Sequence, residues 1–407
     1  MKAPLLARRE YFGYLFYNTS SGELFIAKTE DDLDFSDEFE IYDKSSRSTY
    51  KSSEVKLLQS NVTRSDILSA PTYVEIYPTL FCNERCEFCY VGDKLNNYLK
   101  GMERKDAIKI SDDLVANGIF EVSILGGEPF LYKDLSWLLD LLHEKGFDLS
   151  ISTNGTIYNK DVLDRILRYD ADLNFSFHSH IPSIHADIVK NPSALEKTIA
   201  TLRSVIKDGH SPHVSFLINK KNADTILETV EFLCSEGVKR ISIFHAMKSG
   251  FALDKNEKNI DFIAYKNLFL KAVEIGKRYN VEVTSRTNFP FLIYKDMVFD
   301  TSSDYSNLIY GTVDSRRVLY IMYDGSTYST LYKLQNNQAY LGNILAEGLH
   351  SLWANNENLD RLRTTTLPKP CFKCKHIEYC RGGSVINYGS LNRQPECPLY
   401  VTSLLTE

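Results

Sequence analysis

The stretch YPTLFCNERCEFCYVG (77–92) follows directly on the β-branched run TYVEIY (72–77) and holds three of the eight cysteines in this 407-residue chain. A strand that leads straight into such a loop places the thiols at the strand's carboxyl end. In a parallel α/β barrel this is the end where active sites form. The stretch therefore predicts both a fold and a site, in the first βα loop, at Cys82, Cys86 and Cys89.

The region downstream, from 72 to about 283, alternates short β-branched runs with longer amphipathic runs, several of which end at glycine. Repeated strand–helix units predict parallel strands joined by right-handed crossovers. Six units rather than eight predict an α/β fold built on a partial (β/α)6 TIM-like barrel. The six predicted strands are 72–77, 120–125, 148–153, 173–177, 213–218 and 240–245.

Different patterns flank the barrel on both sides. YFGYLFYNTSSGELFIA (11–27) predicts a β-hairpin around a Ser-Ser-Gly turn. Eight acidic and no basic residues in 30–43 predict a solvated loop, with a docking site for a basic peptide as the alternative. Short strands and turns follow from about residue 300. We therefore expect three regions, namely an N-terminal region (1–71), the barrel (72–299) and a C-terminal domain (300–407).

Composition and charge limit the cellular compartment and the binding partners that we expect for this protein. The 47 basic and 53 acidic residues give a net charge of −6, which argues against a nucleic-acid or anionic-membrane footprint. No apolar run approaches the length of a membrane span, and the start lacks a signal-peptide pattern, so we expect a cytoplasmic protein. A reducing compartment favours metal binding or catalysis over disulfides for clustered cysteines. Cys234, in a helical pattern, is predicted to be a buried, inert thiol.

Cys82, Cys86 and Cys89 have no fourth thiol or histidine beside them. Structural zinc prefers a closed set of four ligands. A 4Fe–4S cubane can use three thiolates and keep one iron open to a substrate or cofactor. The spacing favours a cluster, and zinc remains the alternative.

The pattern CxxxCxxC, with Phe88 before its last cysteine, resembles the signature of radical S-adenosylmethionine (SAM) enzymes. LGGEPF (125–130), after the second predicted strand, resembles that family's GGEP element. The resemblance implies that Cys82, Cys86 and Cys89 hold a SAM-binding 4Fe–4S cluster. It also implies SAM contacts from Phe88 to the adenine, from Gly126, Gly127, Glu128 and Pro129 to the methionyl amino group, and from Ser152, Asn154 and Ser176 to the ribose or methionyl end.

One segment departs from the family. Many members carry, after the fourth strand, an arginine that pairs with the SAM carboxylate, whereas HSHIPSIHADIVKN (178–191) offers Lys190 near that place. Lysine supplies a point charge without the bidentate geometry of arginine. His178, His180 and His185 in this segment are interpreted as loop or barrel-rim residues. The sequence identifies no catalytic acid or base.

A second group of cysteines has the spacing C-x2-C-x5-C-x16-C and would suit tetrahedral zinc if taken alone. The preceding segment, YLGNILAEGLHSLWANNENLDRLR (340–363), resembles the SPASM extension of peptide- and protein-modifying radical SAM enzymes. That likeness implies an auxiliary 4Fe–4S cluster. Thr330 and Ser384 stand where SPASM extensions with two auxiliary clusters have cysteines, so we expect two clusters in all. The implied auxiliary ligands are Cys371, Cys374, Cys380 and Cys397.

The resemblance implies a radical SAM maturase that modifies a ribosomally synthesised precursor peptide through hydrogen abstraction by a 5′-deoxyadenosyl radical. It leaves open whether the outcome is a crosslink, a thioether, epimerisation or backbone excision. The N-terminal hairpin partly resembles the winged-helix peptide-recognition elements of such maturases, and the alternative is a strand pair that caps the barrel. The expected partners are the precursor peptide, an electron donor such as flavodoxin or ferredoxin, and a separate peptide-recognition protein. The alternatives are a maturase of a folded protein, of the formylglycine-generating type, and a non-catalytic zinc scaffold.

Overall fold

The computed structural model describes residues 4–27, 40–43, 48–95, 100–245, 260–286, 315–331 and 339–363. The proposed auxiliary ligands Cys371, Cys374, Cys380 and Cys397, together with Ser384 and most of the acidic run, lie outside the described residues. No helix among the described residues has the length and apolar character needed to cross a bilayer.

The N-terminal region is built from β-strands. Four form a sheet in the order β3-β2-β1-β6, in which only the β1–β6 pair is parallel. The predicted hairpin is β2–β3, but it begins at Gly13 because Tyr11 and Phe12 turn the chain from an additional strand, β1. The described residues before 72 include no α-helix, so a winged-helix likeness is limited to the strands. The strands are β1 (Leu5–Glu10), β2 (Gly13–Asn18), β3 (Glu23–Ala27), β4 (Glu40–Asp43), β5 (Ser48–Lys51) and β6 (Val55–Leu58).

A buried arginine fixes this sheet to the barrel. Arg8, fully buried, pairs with Glu10 at 2.8 Å and donates to the carbonyls of Ala70, Pro71 and Gly118. A buried charge is tolerated when its donors are paired in this way. The N-terminal sheet is therefore docked on the amino end of the barrel strands.

All six predicted barrel strands are present to within two residues at either end, as parallel neighbours in one sheet. The prediction of six strand–helix units is confirmed, since each of these six strands is followed by at least one helix. A polar, half-exposed strand, β13, extends the row at one edge, and its lack of an apolar run hid it from the sequence pattern. The strands are β7 (Tyr73–Tyr77), β8 (Glu121–Ile124), β9 (Asp148–Thr153), β10 (Asp172–Ser176), β11 (His213–Ile218), β12 (Arg240–His245) and β13 (Glu282–Arg286).

Helices connect these strands and cover one face of the sheet. Alternate strand residues such as Val122, Ile151 and Phe175 are buried against them, which follows from the period of two along a strand. Cys234 lies buried on α6, as predicted. The helices are α1 (Arg104–Ala116), α2 (Leu135–Lys145), α3 (Lys160–Arg168), α4 (Pro182–Val189), α5 (Ala194–Lys207), α6 (Ile226–Ser235) and α7 (Phe262–Tyr279).

The opposite face of the sheet is polar. Ser123 and Ser150 share a hydrogen bond at 2.6 Å, and Asn174 bridges the hydroxyls of Ser152 and Ser215 on its two sides. The two faces of the sheet therefore differ, since one packs against helices and the other carries hydrogen-bonded polar side chains.

The C-terminal segment continues the same sheet from its other side. β14 pairs in parallel with β7, and an antiparallel turn at Gly325, with φ of +82°, leads to β15. Trp353 is fully buried and donates to the Leu68 carbonyl, which ties the last helices to the segment before the barrel. The elements are β14 (Val318–Met322), β15 (Ser326–Tyr328), β16 (Tyr340–Asn343), α8 (Ile344–Glu347), α9 (Leu349–Ala354) and α10 (Glu357–Arg363).

Candidate active site

The loop with the first three cysteines (residues 78–91, here the cysteine loop) leaves the carboxyl end of β7, as predicted. The GGEP segment holds its first half by backbone hydrogen bonds, from Gly127 N to Thr79 O at 2.9 Å and from Glu128 N to Phe81 O at 2.8 Å. A Cβ at Gly126 would lie 2.4 Å from Thr79 O, and one at Gly127 would lie 2.2 Å from Phe81 O. These glycines are required here for close backbone approach.

The second half of the cysteine loop is held by the end of α4. Arg85 N donates to Val189 O and Glu87 N donates to Ile188 O, at 3.0 and 3.1 Å. The side chains of Cys86 and Phe88 pack on the small apolar cluster around Ile188 and Val189. The segment 178–191 is therefore a scaffold for the cysteine loop.

The three cysteines are partly buried thiols that lie close enough to influence each other. Burial raises the pKa of Cys82 to about 12, and the Glu128, Glu84 and Cys89 side chains add to the shift. Burial, Glu84 and the other two thiols hold the pKa of Cys86 well above its usual range. Burial also raises the pKa of the Glu84 carboxyl to about 8, and Glu128 adds to this. The loop thus concentrates potential negative charge where a cation would be favoured.

Three thiols on one loop fit a 4Fe–4S cluster better than a single ion. Among the described residues, no group of three or more His, Cys, Asp or Glu side chains is arranged to hold a metal ion. A cubane presents its irons at separate corners, so its thiolates need not converge on one point. Within the described residues, two buried side-chain atoms have no hydrogen-bond partner: Glu84 Oε1 in the cysteine loop and His178 Nδ1 beside it. The donor set and its polar surroundings fit the cluster that the sequence implies.

Glu128 is fully engaged inside the protein. Its carboxylate accepts hydrogen bonds from Phe130 N, Thr153 Oγ1 and Asn154 N at 2.7 to 3.0 Å, and the residue is 1% exposed. Burial nevertheless raises its pKa. The side chain therefore joins the loop after β8 to the loop after β9, and a ligand would meet the backbone of this segment rather than the carboxylate.

Asn154 links the loop after β9 to the cysteine loop. Its amide donates to Asn83 Oδ1 at 2.8 Å and its oxygen accepts from Thr156, while Asn83 in turn donates to Thr156 Oγ1. Sequence reasoning missed Asn83 and Thr156. Their signal was available, since Asn83 lies between two of the cysteines and Thr156 follows the STNG stretch.

The other predicted SAM contacts lie at the same end of the barrel. Ser152 and Ser176 are half-buried on the polar face of β9 and β10, and the Ser152 hydroxyl accepts from Asn174 at 3.1 Å. The Phe88 ring makes an edge-to-face contact with His178 at 4.6 Å. The structure thus brings the cysteine loop, the GGEP segment and the ends of β9 and β10 together.

The histidines of segment 178–191 are more buried than a rim position suggests. His178 is 5% exposed and His185, on α4, is 1% exposed. Burial lowers the pKa of His178 to about 3 and that of His185 to about 4, so both are neutral at physiological pH. His178 and His180 lie in the loop before α4, as predicted, whereas His185 lies on α4 itself. His180 Nδ1 is 2.9 Å from Thr229 Oγ1. Lys190 ion-pairs with Asp187 at 2.7 Å on the surface.

Comparison with known proteins agrees with this geometry. Residues 76–233, from the end of β7 into α6, match the Radical SAM superfamily. This part of the chain is a radical SAM domain.

Sequence relatives include a probable GTP 3′,8-cyclase of Saccharolobus solfataricus, 28% identical over 47% of this chain and 65% of that protein. An Fe-coproporphyrin III synthase of Methanosarcina barkeri is 24% identical over 45% of this chain and 48% of that protein. The chain thus spans less than two thirds of either of these curated relatives.

Solved structures resemble the chain beyond its radical SAM domain. Streptococcus suis SuiB bound to SAM has a TM-score of 0.77 at 19% identity, with 97% of both chains covered. SuiB bound to its precursor peptide SuiA gives the same TM-score at 18% identity. The anSMEcpe structure with bound AdoMet has a TM-score of 0.64 at 17% identity, covering 82% of this chain and 95% of that one. At these identities the likeness is one of fold.

Proposed function

We propose that this protein is a radical SAM maturase that modifies a ribosomally synthesised precursor peptide. The observation that carries the proposal is the fold, which matches SuiB over 97% of the chain and so includes the regions before and after the radical SAM domain. SuiB is a protein whose structure was solved with a precursor peptide. The polar inner face of the barrel, open at the cysteine loop, supports the same proposal.

In this proposal the chain's own residues assemble and shield the cofactor site. Cys82, Cys86 and Cys89 ligate the SAM-binding cluster, and Phe88, Ser152, Asn154 and Ser176 contact SAM together with the backbone at Gly126, Gly127 and Glu128. When bound, cluster and SAM supply reductive cleavage of SAM and hydrogen abstraction from the peptide. The protein orients both and keeps competing reactants away.

A second cluster completes the proposal. Cys371, Cys374, Cys380 and Cys397 ligate one auxiliary 4Fe–4S cluster in a SPASM-like domain (300–407) that follows the barrel (72–299). A zinc ion on the same four thiols is the alternative. The visible spectrum of protein lacking Cys82, Cys86 and Cys89 separates the two, since it is brown with an auxiliary iron–sulfur cluster and colourless with zinc. A flavodoxin or ferredoxin donates the electrons.

Peptide recognition is assigned to the N-terminal region (1–71). Among the described residues β3 is an edge strand, paired with β2 alone. A leader peptide that adds a strand to this edge gains backbone hydrogen bonds with little demand on its sequence. Slower amide exchange in Glu23–Ala27 on adding leader tests this assignment. Unchanged exchange there favours a separate recognition protein.

A maturase of a folded protein is the second candidate, because anSMEcpe shares the fold over 82% of the chain. The experiment that separates the two uses the reconstituted full-length enzyme with SAM, a reductant and short peptides encoded beside its gene. A precursor peptide should change mass while 5′-deoxyadenosine forms. The second candidate would be favoured if 5′-deoxyadenosine forms steadily while no such peptide changes mass and a co-encoded folded protein does change mass.

A further inference from the structure

The cysteine loop contains a buried carboxylate between two of its proposed iron ligands. Glu87 lies between Cys86 and Cys89, and its side chain is 4% exposed. A buried carboxylate is unfavourable unless a cation compensates it. The cost is greater here because neighbouring thiols bind metals as thiolates, which adds negative charge. This half of the loop therefore needs a positive charge of its own.

Lys221 supplies that charge from a different element. Its Nζ lies 2.8 Å from Glu87 Oε2 and 2.5 Å from Asp187 Oδ2. One ammonium thus joins the cysteine loop, α4 and the loop after β11. Lys190 also pairs with Asp187, but its side chain is 44% exposed against 28% for Lys221.

The turn that carries Lys221 is rigid. Lys221 N donates to Asn219 Oδ1 at 2.8 Å, and Asn219 N donates back across the turn to Asn222 Oδ1. The Asn222 amide, fully buried, donates to the carbonyls of His178 and Leu217. Because these hydrogen bonds already fix the backbone of the turn, only side-chain entropy is lost when Lys221 pairs with Glu87.

We propose that Lys221 is a positioning residue that clamps Glu87 and so holds the Cys86–Cys89 half of the loop in its iron-binding conformation. The inference rests on the proposed function only in that the three cysteines bind a cluster. It adds to the support of that site a residue 134 positions along the chain from Glu87. Partners of this kind around metal ligands commonly change metal retention by about tenfold or more when they are removed.

The test compares Lys221→Met with Lys220→Met, an exposed neighbour, in full-length protein reconstituted without oxygen. The readout is the change in the electron paramagnetic resonance signal of the reduced protein on adding SAM, followed during incubation with an iron chelator. This signal reports a cluster with an open iron and requires no peptide. The Lys221→Met protein should lose it roughly tenfold faster than the parent, whereas Lys220→Met should match the parent.

A second pair of variants identifies the partner. In a Glu87→Gln background, Lys221→Met should accelerate the loss far less, because the charge to be compensated is gone. Three results would overturn the clamp. Lys221→Met could accelerate the loss of the signal equally in both backgrounds, or it could behave like Lys220→Met. It could also weaken SAM binding while the cluster is retained as in the parent. A parent protein without a SAM-responsive signal would overturn the cluster assignment as well, while failure to modify any peptide would affect the proposed function alone.

Discussion

At the scale of single residues, the GGEP segment also supports the cysteine loop, which its motif alone does not predict. The motif predicted that Gly126 and Gly127 face the cofactor. The structure adds that their backbone passes against Thr79 and Phe81, where a side chain would collide with carbonyl oxygens. The GGEP motif and the close backbone approach thus point to the same two glycines for different reasons.

Gly126→Ala should therefore disrupt the cysteine loop itself. Gly126 has φ of +147° and a Cβ there would lie 2.4 Å from Thr79 O, whereas Gly209, with φ of +95°, has nothing within 4 Å of the added atom. Gly209→Ala, the matched control, should cost about 1 kcal/mol of unfolding free energy from backbone strain alone. Gly126→Ala should cost at least about 2 kcal/mol more and reduce iron content, as measured by urea unfolding and iron analysis. Equal losses for the two variants would contradict the collision.

The residues that sequence reasoning could not find are those whose partners are distant in the chain. Arg8 and Lys221 read as ordinary surface cations in a charged sequence, and only the fold brings each to a buried carboxylate. The cysteines and glycines could be proposed as site residues from the sequence because their spacing is local. Long-range ion pairs leave no local pattern.

At the scale of elements, β-branched runs located the six central strands because strands buried on a helix-covered face must be apolar at alternate positions. β1 and β13 escaped because LLARRE contains no β-branched residue and EVTSR contains a single apolar one. The predicted hairpin was found, but its start shifted to Gly13 once β1 was present. The sequence thus predicted the strands whose helix-covered face imposes a regular apolar pattern.

Arg8→Met tests how firmly the N-terminal sheet is docked. The change leaves Glu10 buried without its cation and removes donors from the carbonyls of Ala70, Pro71 and Gly118. Breaking a buried pair in this way should cost about 3–5 kcal/mol of unfolding free energy. Arg9→Met, at the exposed neighbouring position, should stay within about 0.5 kcal/mol of the parent in urea unfolding. A small effect of Arg8→Met would show that the sheet is loosely attached.

At the scale of the whole molecule, the continuous sheet from β13 to β16 joins the radical SAM domain to the C-terminal segment through the β7–β14 pair. β7 also leads into the cysteine loop, so the strand beside the proposed cluster is shared by both regions. The described C-terminal segment is therefore built on the same sheet as the strand that leads into the cysteine loop.

The number of clusters follows from which cysteines the chain has. If the resemblance to SPASM extensions holds, Thr330 and Ser384 stand where a further auxiliary cluster would need thiols, and no cysteine lies between Cys234 and Cys371. Hydroxyls are poor iron ligands beside thiolates. Reconstituted protein should contain about eight iron and eight sulfide per chain, and removal of the first three cysteines should leave about four iron. Close to twelve iron would mean that other ligands hold a third cluster.

The central claim is that Cys82, Cys86 and Cys89 together form the SAM-cleaving site. The most direct measurement is 5′-deoxyadenosine formation from SAM and a reductant by the reconstituted protein and by each single Cys→Ala variant, with Cys234→Ala as the control thiol on α6. The parent and the Cys234 variant should make 5′-deoxyadenosine at similar rates, and each of the three loop variants should make none. A loop variant that makes it at the parent rate would contradict the account.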